Sequence, residues 1–153
     1  MIRLVKPRVL AVSSGGGHWV QLLRMRPAFA DREVAYVTVQ AAYAEEVPEA
    51  RLYVVPDATR WDRLAMVHMI LKLLLIILRE RPAVVISTGA APGYFAIRMA
   101  RLLGARTVWL DSIANVEELS MAGRMVGPYA DLWLTQWPEL ATDQGPRYIG
   151  SVL

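Results

Sequence analysis

RVLAVSSGGGH, residues 8–18, is the stretch on which the fold turns. Arg8–Val12, apolar from Val9 onward, reads as a buried β-strand. Ser13–Gly17 reads as a glycine-rich turn. His18–Phe29 reads as a helix whose apolar face carries Trp19, Leu22, Leu23 and Met25. A buried strand that runs through a glycine loop into a helix is the opening unit of a doubly wound α/β sheet.

The alternation continues outward from that unit. Val34–Val39, Leu52–Val55, Val84–Ser87, Thr107–Leu110 and Asp131–Thr135 read as five further strands. Between them lie a short helix at Tyr43–Pro48 and a long one at Trp61–Arg81, stopped by Pro82. Another spans Tyr94–Leu103, with Gly104 as its C-terminal cap. Val116–Val126 is mixed or helical, and Gln136–Leu153 reads mostly as loop. Strands that are unbroken apolar runs, separated by helices, predict a parallel sheet covered on both faces. The whole chain, residues 1–153, has the length of one Rossmann-like domain. Ligands of such sheets bind at the C-terminal ends of the strands. Three loops leave strands at that edge: Ser13–His18, Thr88–Gly93 and Asp111–Asn115. They are expected to converge on one cleft.

Composition narrows the function classes. Net charge is only +3, with no dense basic run of the kind that nucleic-acid binders carry. There is no cysteine, which excludes disulfides, thiolate catalysis and cysteine metal sites. No cluster of carboxylates or histidines resembles a metal site, so none is expected. No secretory signal is evident, since the apolar run after Met1–Pro7 is short and enters the glycine loop. Hydrophobic residues reach 55%, more than a small monomer core requires, which suggests that an apolar surface is covered by something else.

The chemistry-bearing candidates sit in the three loops. Ser14, Gly15, Gly16 and Gly17 bring backbone N–H groups to a helix N-terminus, an arrangement that favours phosphate. The loop is neither a dinucleotide fingerprint nor a Walker loop. His18 is placed to donate to a phosphate or to act as a general base. Its other reading is a packing or capping residue. Thr88, Gly89 and Gly93 precede a helix and leave room for an anionic ligand, though glycine and proline also merely punctuate turns. Asp111 ends a strand at the cleft, where a carboxylate would act as a general base. Its other reading is a helix-capping or turn residue. Asn115 reads either as a hydrogen-bonding residue of the site or as an ordinary loop asparagine.

The ordered set Ser-Ser-Gly-Gly-Gly-His (13–18), Ser-Thr-Gly-Ala-Ala-Pro-Gly (87–93), Asp-Ser-Ile-Ala-Asn-Val (111–116), Leu-Ser-Met-Ala-Gly-Arg (119–124) and Gln-Trp-Pro-Glu-Leu (136–140) resembles PssD-type subunits, the acceptor-side halves of split polysaccharide glycosyltransferases. It is similar to the membrane-anchoring subunit of the eukaryotic dolichol-pathway N-acetylglucosaminyltransferase, and more remotely to the N-terminal domain of MurG. The resemblance implies the N-terminal half of a GT-B enzyme. That half holds a polyprenyl-diphosphate-linked saccharide, while a separate partner chain holds the nucleotide-sugar donor. It implies no cofactor of its own, a metal-independent inverting displacement with His18 or Asp111 as base, and a peripheral or monotopic place on the cytoplasmic face of the membrane. Relatives carry Glu-Ser and then Arg where this chain has Asp111-Ser112 and Asn115. The missing cation is therefore expected from Arg124.

Leu64–Leu78 is the longest apolar stretch, interrupted by His68 and Lys72. A membrane-spanning helix needs roughly 20 apolar residues, so this one is too short to span unaided. Trp61, Ala65, His68, Lys72 and Arg79 fall near one side of it, with Leu, Ile and Met over most of the rest. It reads either as a core helix or as a helix whose outer face meets a membrane interface or the partner. Arg3, Lys6 and Arg8 would add a weak electrostatic contact to the same surface. Trp133 and Trp137 read either as anchors for the partner or as covers of the sheet edge. Two other function classes remain beside the transferase half. One is a non-catalytic membrane adaptor that recruits and activates a partner transferase. The other is a small nucleotide-binding protein, which the missing fingerprints disfavour.

Overall fold

A computed structural model describes residues 6–152; Arg3, the first of the three N-terminal cations, lies outside them. The chain runs β1 (Arg8–Val12), α1 (Gly17–Arg24), β2 (Glu33–Thr38), β3 (Arg51–Val54), α2 (Arg63–Glu80), β4 (Val84–Ser87), α3 (Ala90–Leu102), β5 (Arg106–Leu110), α4 (Met121–Val126), β6 (Leu132–Thr135) and β7 (Arg147–Tyr148). All pairings are parallel, and the sheet order is β3-β2-β1-β4-β5-β6-β7. This is the Rossmann-like α/β architecture that the strand–helix alternation predicts, extended by one strand.

The alternation of side chains along each strand builds two cores. Leu10, Val12, Val37, Val85 and Trp109 face α2, α3 and α4, where they meet Met69, Leu73, Ile97 and Val126. Val9, Ala11, Tyr36 and Ile86 face the other way and pack on Trp19, Leu22 and Phe29. Both faces are apolar, which is why the strands read as unbroken hydrophobic runs.

Helix α2 starts where Asp62 caps it, its carboxylate accepting the Ala65 N–H at 3.0 Å. It ends at Arg81, which adopts a left-handed φ of 46° just before Pro82. At that end Glu80 is buried and receives Arg51 through two nitrogens at 2.8 Å and the Tyr53 hydroxyl. Arg51 also reaches Glu33 at 2.9 Å. This cluster ties α2 to the starts of β2 and β3. The paired guanidinium holds the Glu80 carboxyl below its ordinary range.

Several boundaries differ from the sequence reading. The helix after the glycine loop stops at Arg24, and Pro27 turns the chain into a 3-10 segment at Arg26–Phe29. The short helix at 43–48 is a 3-10 turn at Ala41–Glu46. In the 116–126 stretch only Met121–Val126 is α-helix. Helix α3 begins at Ala90 rather than Tyr94. Pro92 is tolerated in its first turn because the missing N–H has no intrahelical acceptor there. The two-residue strand β7 lies in the stretch read as loop. Both its residues are exposed, so it leaves no apolar pattern.

Candidate functional site

The chain proceeds from β1 to β2 on one side and from β4 to β5 on the other, so the adjacent pair β1–β4 is the topological switch point of the sheet. The loops after these two strands meet there. Gly16, φ 64°, and Gly89, φ 142°, take backbone values that suit glycine. Ala90, the first residue of α3, also sits at a positive φ of 66°. A non-glycine residue held in that region carries roughly 1–3 kcal/mol of strain.

His18 joins the two loops. Its Nδ1 lies 3.0 Å from the Thr88 carbonyl oxygen, and the Thr88 hydroxyl donates to the His18 carbonyl at 2.6 Å. A carbonyl only accepts, so Nδ1 donates to it, and in the neutral ring the lone pair is on Nε2. No protein group among the described residues hydrogen-bonds Nε2. A Cβ at Gly89 would fall inside the imidazole, so glycine there makes room for the ring. Two helix N-termini, those of α1 and α3, thus abut a histidine with an available base. Gly16 donates its N–H to the Tyr43 hydroxyl at 3.0 Å, and Tyr43 stacks on Trp19 at 4.8 Å. Ser14, Gly15 and Gly17 lie in the same loop, with Gly15 against Gln40 and Tyr43.

Gly93 has a different job from the loop residues before it. It lies inside α3, buried, where a Cβ would collide with Ser87 and crowd Trp109. It lets the helix approach the sheet, and it does not line the loop.

Asp111 is placed as a brace. It is 1% exposed. Oδ1 accepts from Trp109 Nε1 at 3.0 Å and from the Ser120 hydroxyl at 2.5 Å. Oδ2 accepts from the Ser120 N–H at 2.9 Å and from Asn115 Nδ2 at 3.3 Å. Four donors occupy the carboxylate, which leaves no lone pair for a substrate proton. The pattern ties the 111–120 loop to α4, whose N-terminus Ser120 caps. Asn115 is consumed in the same brace. Arg124 is an exposed partner of Glu118 at 3.2 Å. Such a pair is worth about 0–1 kcal/mol.

Trp133 and Trp137 serve the chain's own fold. Trp133 fills the space beside Gly127 and Gly145 and packs on the core, while Trp137 donates Nε1 to the Ile113 carbonyl at 2.7 Å. Neither is displayed as a free anchor. The sequence reading overlooked the buried amides of Gln21 and Gln136, which bond each other and the 111–113 backbone. The only sequence signals were a glutamine between apolar residues of α1 and the Gln136-Trp137-Pro138 segment itself.

Helix α2 is core on one side and bare on the other. Met69, Leu73, Ile76 and Ile77 are buried. Leu64, Val67, Leu71, Leu75 and Leu78 form an exposed ridge, with Leu64 at 85% exposure. His68, Lys72 and Arg79 flank the ridge along one edge and are also exposed. Trp61, 81% exposed beneath the Arg60 guanidinium, stands at its start. That start lies at the same sheet edge as His18, because α2 returns antiparallel to the strands. Among the described residues no helix is long and apolar enough to cross a membrane. None of their His, Asp and Glu side chains form a group that could hold a metal ion. A cavity of about 1170 Å³ opens beside the end of α1, between Leu23, Phe29, Tyr36 and Val47. It lies over the starts of β2 and β3, away from the switch point.

Residues 55–152 match the family described as "Oligosaccharide biosynthesis protein Alg14 like". Curated relatives include the UDP-N-acetylglucosamine transferase subunit ALG14 of Yarrowia lipolytica, 32% identical over 75 residues, 45% of this chain and 34% of that protein. The Schizosaccharomyces pombe subunit is 40% identical over 57 residues, 35% of this chain and 27% of that protein. The matched region thus spans about a third or less of the relatives' own length. Among solved structures, Acinetobacter baumannii MurG superposes with a TM-score of 0.74 at 11% identity, covering 95% of this chain and 45% of that one. UDP-N-acetylglucosamine 2-epimerase from Rickettsia bellii gives 0.63 at 12% identity, covering 86% and 39%. At these identities the likeness establishes the fold.

Proposed function

This chain belongs to the Alg14-like family of oligosaccharide biosynthesis proteins, and on that premise we propose that it is the acceptor-binding, membrane-associating subunit of a two-component glycosyltransferase. The donor half, which holds the nucleotide sugar, is a separate chain. The acceptor is a polyprenyl-diphosphate-linked saccharide of a polysaccharide pathway. The observation that carries this reading is the His18–Thr88 pair at the switch point, which leaves Nε2 of His18 available between two helix N-termini.

The anionic diphosphate lies against the loops 14–17 and 88–90, where the first N–H groups of α1 and α3 supply donors and a favourable dipole, those of Gly16 and Gly89 being already given to the Tyr43 hydroxyl and Ser87 Oγ. Nε2 of His18 removes the proton from the acceptor hydroxyl. The oxygen attacks the anomeric carbon of the donor sugar from the face opposite the nucleotide diphosphate. The glycosidic bond forms as the bond to the diphosphate breaks, the leaving group takes the electron pair, and the configuration inverts. Thr88 holds the imidazole in the tautomer this step needs. With the Asp111 carboxylate occupied, the base role falls to His18.

The bare face of α2 supports the membrane association. Its apolar ridge is flanked by His68, Lys72 and Arg79, which suits burial at a headgroup boundary with Lys72 and Arg79 at phosphate level. Because the ridge begins at the sheet edge that carries His18, the acceptor's diphosphate would enter the cleft while its lipid stays in the bilayer.

Equilibrium binding to the isolated chain tests the division of labour. A short-chain prenyl diphosphate saccharide should bind and UDP-sugars should not. Tight binding of a nucleotide sugar without acceptor binding would assign the chain to the donor side and overturn the proposal.

A further inference from the structure

Helix α1 is only eight residues long, Gly17–Arg24, and a glycine loop precedes it. So short a helix has little stability of its own, and its position is set by what holds it. Trp19 and Leu22 anchor its apolar side. Its polar tethers form a closed circuit that the proposed chemistry does not use.

Gln21, three residues after His18, is 5% exposed, and Gln136, at the end of β6, is 2% exposed. Gln21 Oε1 accepts from Gln136 Nε2 at 2.5 Å and from the Ile113 N–H at 3.1 Å, while Gln21 Nε2 donates to the Ser112 hydroxyl at 3.2 Å. Gln136 Nε2 also donates to the Asp111 carbonyl at 3.0 Å. Its Oε1 accepts the Val152 N–H at 2.9 Å. The Val152 carbonyl in turn accepts from the Arg24 guanidinium at 3.2 Å. The path therefore leaves α1 at Gln21, crosses Gln136 to the peptide of Val152, and returns to α1 at Arg24. The middle and the last residue of one helix, Gln21 through Gln136 and Arg24 directly, are thus tied to the two polar groups of a single residue in the segment that follows β7.

We propose that Gln21 and Gln136 are positioning residues, and that the segment at Val152, through them and Arg24, sets the placement of α1 and so of His18 against Thr88. Buried hydrogen bonds in one network reinforce one another, so losing one link loosens the others. The inference rests on the proposed base role of His18 only for its effect on turnover. Its structural part stands on the circuit itself.

Two variants test it. Gln136→Leu cuts the circuit at its centre. Arg24→Met cuts it at an exposed residue and leaves the core intact. In both, amide hydrogen exchange at Ile113 and Val152 should quicken. Under alkaline conditions the ¹⁵N signals of the His18 ring should depart from those of a single Nδ1–H tautomer. With a partner chain, kcat should fall roughly 10- to 100-fold in Gln136→Leu, the scale expected when a reacting group is misplaced, with KM for the nucleotide sugar unchanged. A lower melting temperature with wild-type His18 ring signals would show that the amides only fill the core, and would overturn the proposal. If Gln136→Leu does not fold, unchanged Ile113 exchange in Arg24→Met overturns it alone. If wild-type protein transfers no sugar, the transferase reading fails separately, and ring signals and exchange still decide the circuit.

Discussion

His18 and Thr88 are locked by two hydrogen bonds running in opposite directions, one from the imidazole Nδ1 to the Thr88 carbonyl at 3.0 Å and one from the Thr88 hydroxyl to the His18 carbonyl at 2.6 Å. The pair ties the start of α1 to the loop after β4, across the switch point. If His18 is the base of a two-chain transferase, as proposed, replacing it by Ala should lower turnover by roughly 10²- to 10⁴-fold, the usual contribution of a general base. Gly89→Ala should do nearly the same without touching the histidine. Its Cβ would occupy the imidazole's space, and its φ of 142° disfavours any side chain. Steady-state kinetics on purified, folded complexes checks both.

Asp111→Asn separates brace from base. The variant keeps two acceptor sites at most and weakens four bonds to a buried carboxylate. It should cost roughly 1–3 kcal/mol of stability by chemical denaturation. Turnover per folded molecule should remain within a few-fold of wild type. A loss as deep as that of His18→Ala, at unchanged stability, would return Asp111 to the chemistry.

Leu71→Glu or Leu75→Glu places a carboxylate on the bare ridge of α2. Both positions are exposed, so the fold should tolerate the change within about 0.5 kcal/mol. Co-sedimentation with vesicles containing anionic lipid should fall sharply. Lys72→Ala should weaken the same binding less, by about 1 kcal/mol, and chiefly at low salt.

Glu80 and Glu33 make the fold acid-labile. Arg51 donates to both and holds both carboxyls below the ordinary value of 4.5. A folded-state value below the unfolded one means that the unfolded chain binds protons first. The stability from these pairs is therefore complete above pH 4.5 and is lost as the pH falls below it. Glu80→Gln should lose roughly 1–3 kcal/mol at neutral pH and show a flatter stability profile on the acid side, measured by urea denaturation across pH.

The sheet was legible because both its faces are buried. Val9–Val12 and Val84–Ile86 are apolar at every position, as strands buried on both faces are. The meeting of the first two loops followed from their place at the strand ends, while the switch point follows from the strand order. What stayed hidden was set by contacts between distant residues. Asp111 looks the same in sequence whether its carboxylate faces a substrate or Ser120, and only the folded loop brings Ser120 and Asn115 to it. Gly93 reads as a loop glycine until its closeness to Ser87 shows it inside a helix. The side of α2 that stays bare follows from which leucines meet α3 and the sheet, and the cations alone mark only one edge of it. Gln21 and Gln136 are 115 positions apart in sequence and share a hydrogen bond. No local pattern connects them.

The most direct test is sugar transfer to a polyprenyl-diphosphate-linked saccharide, with this chain alone, with a donor-binding partner chain alone, and with both, across a panel of nucleotide sugars. The account predicts turnover only when both chains are present, and its near-loss with His18→Ala in an intact complex. Full turnover by the partner alone, or an undiminished rate from the His18→Ala complex, would contradict it.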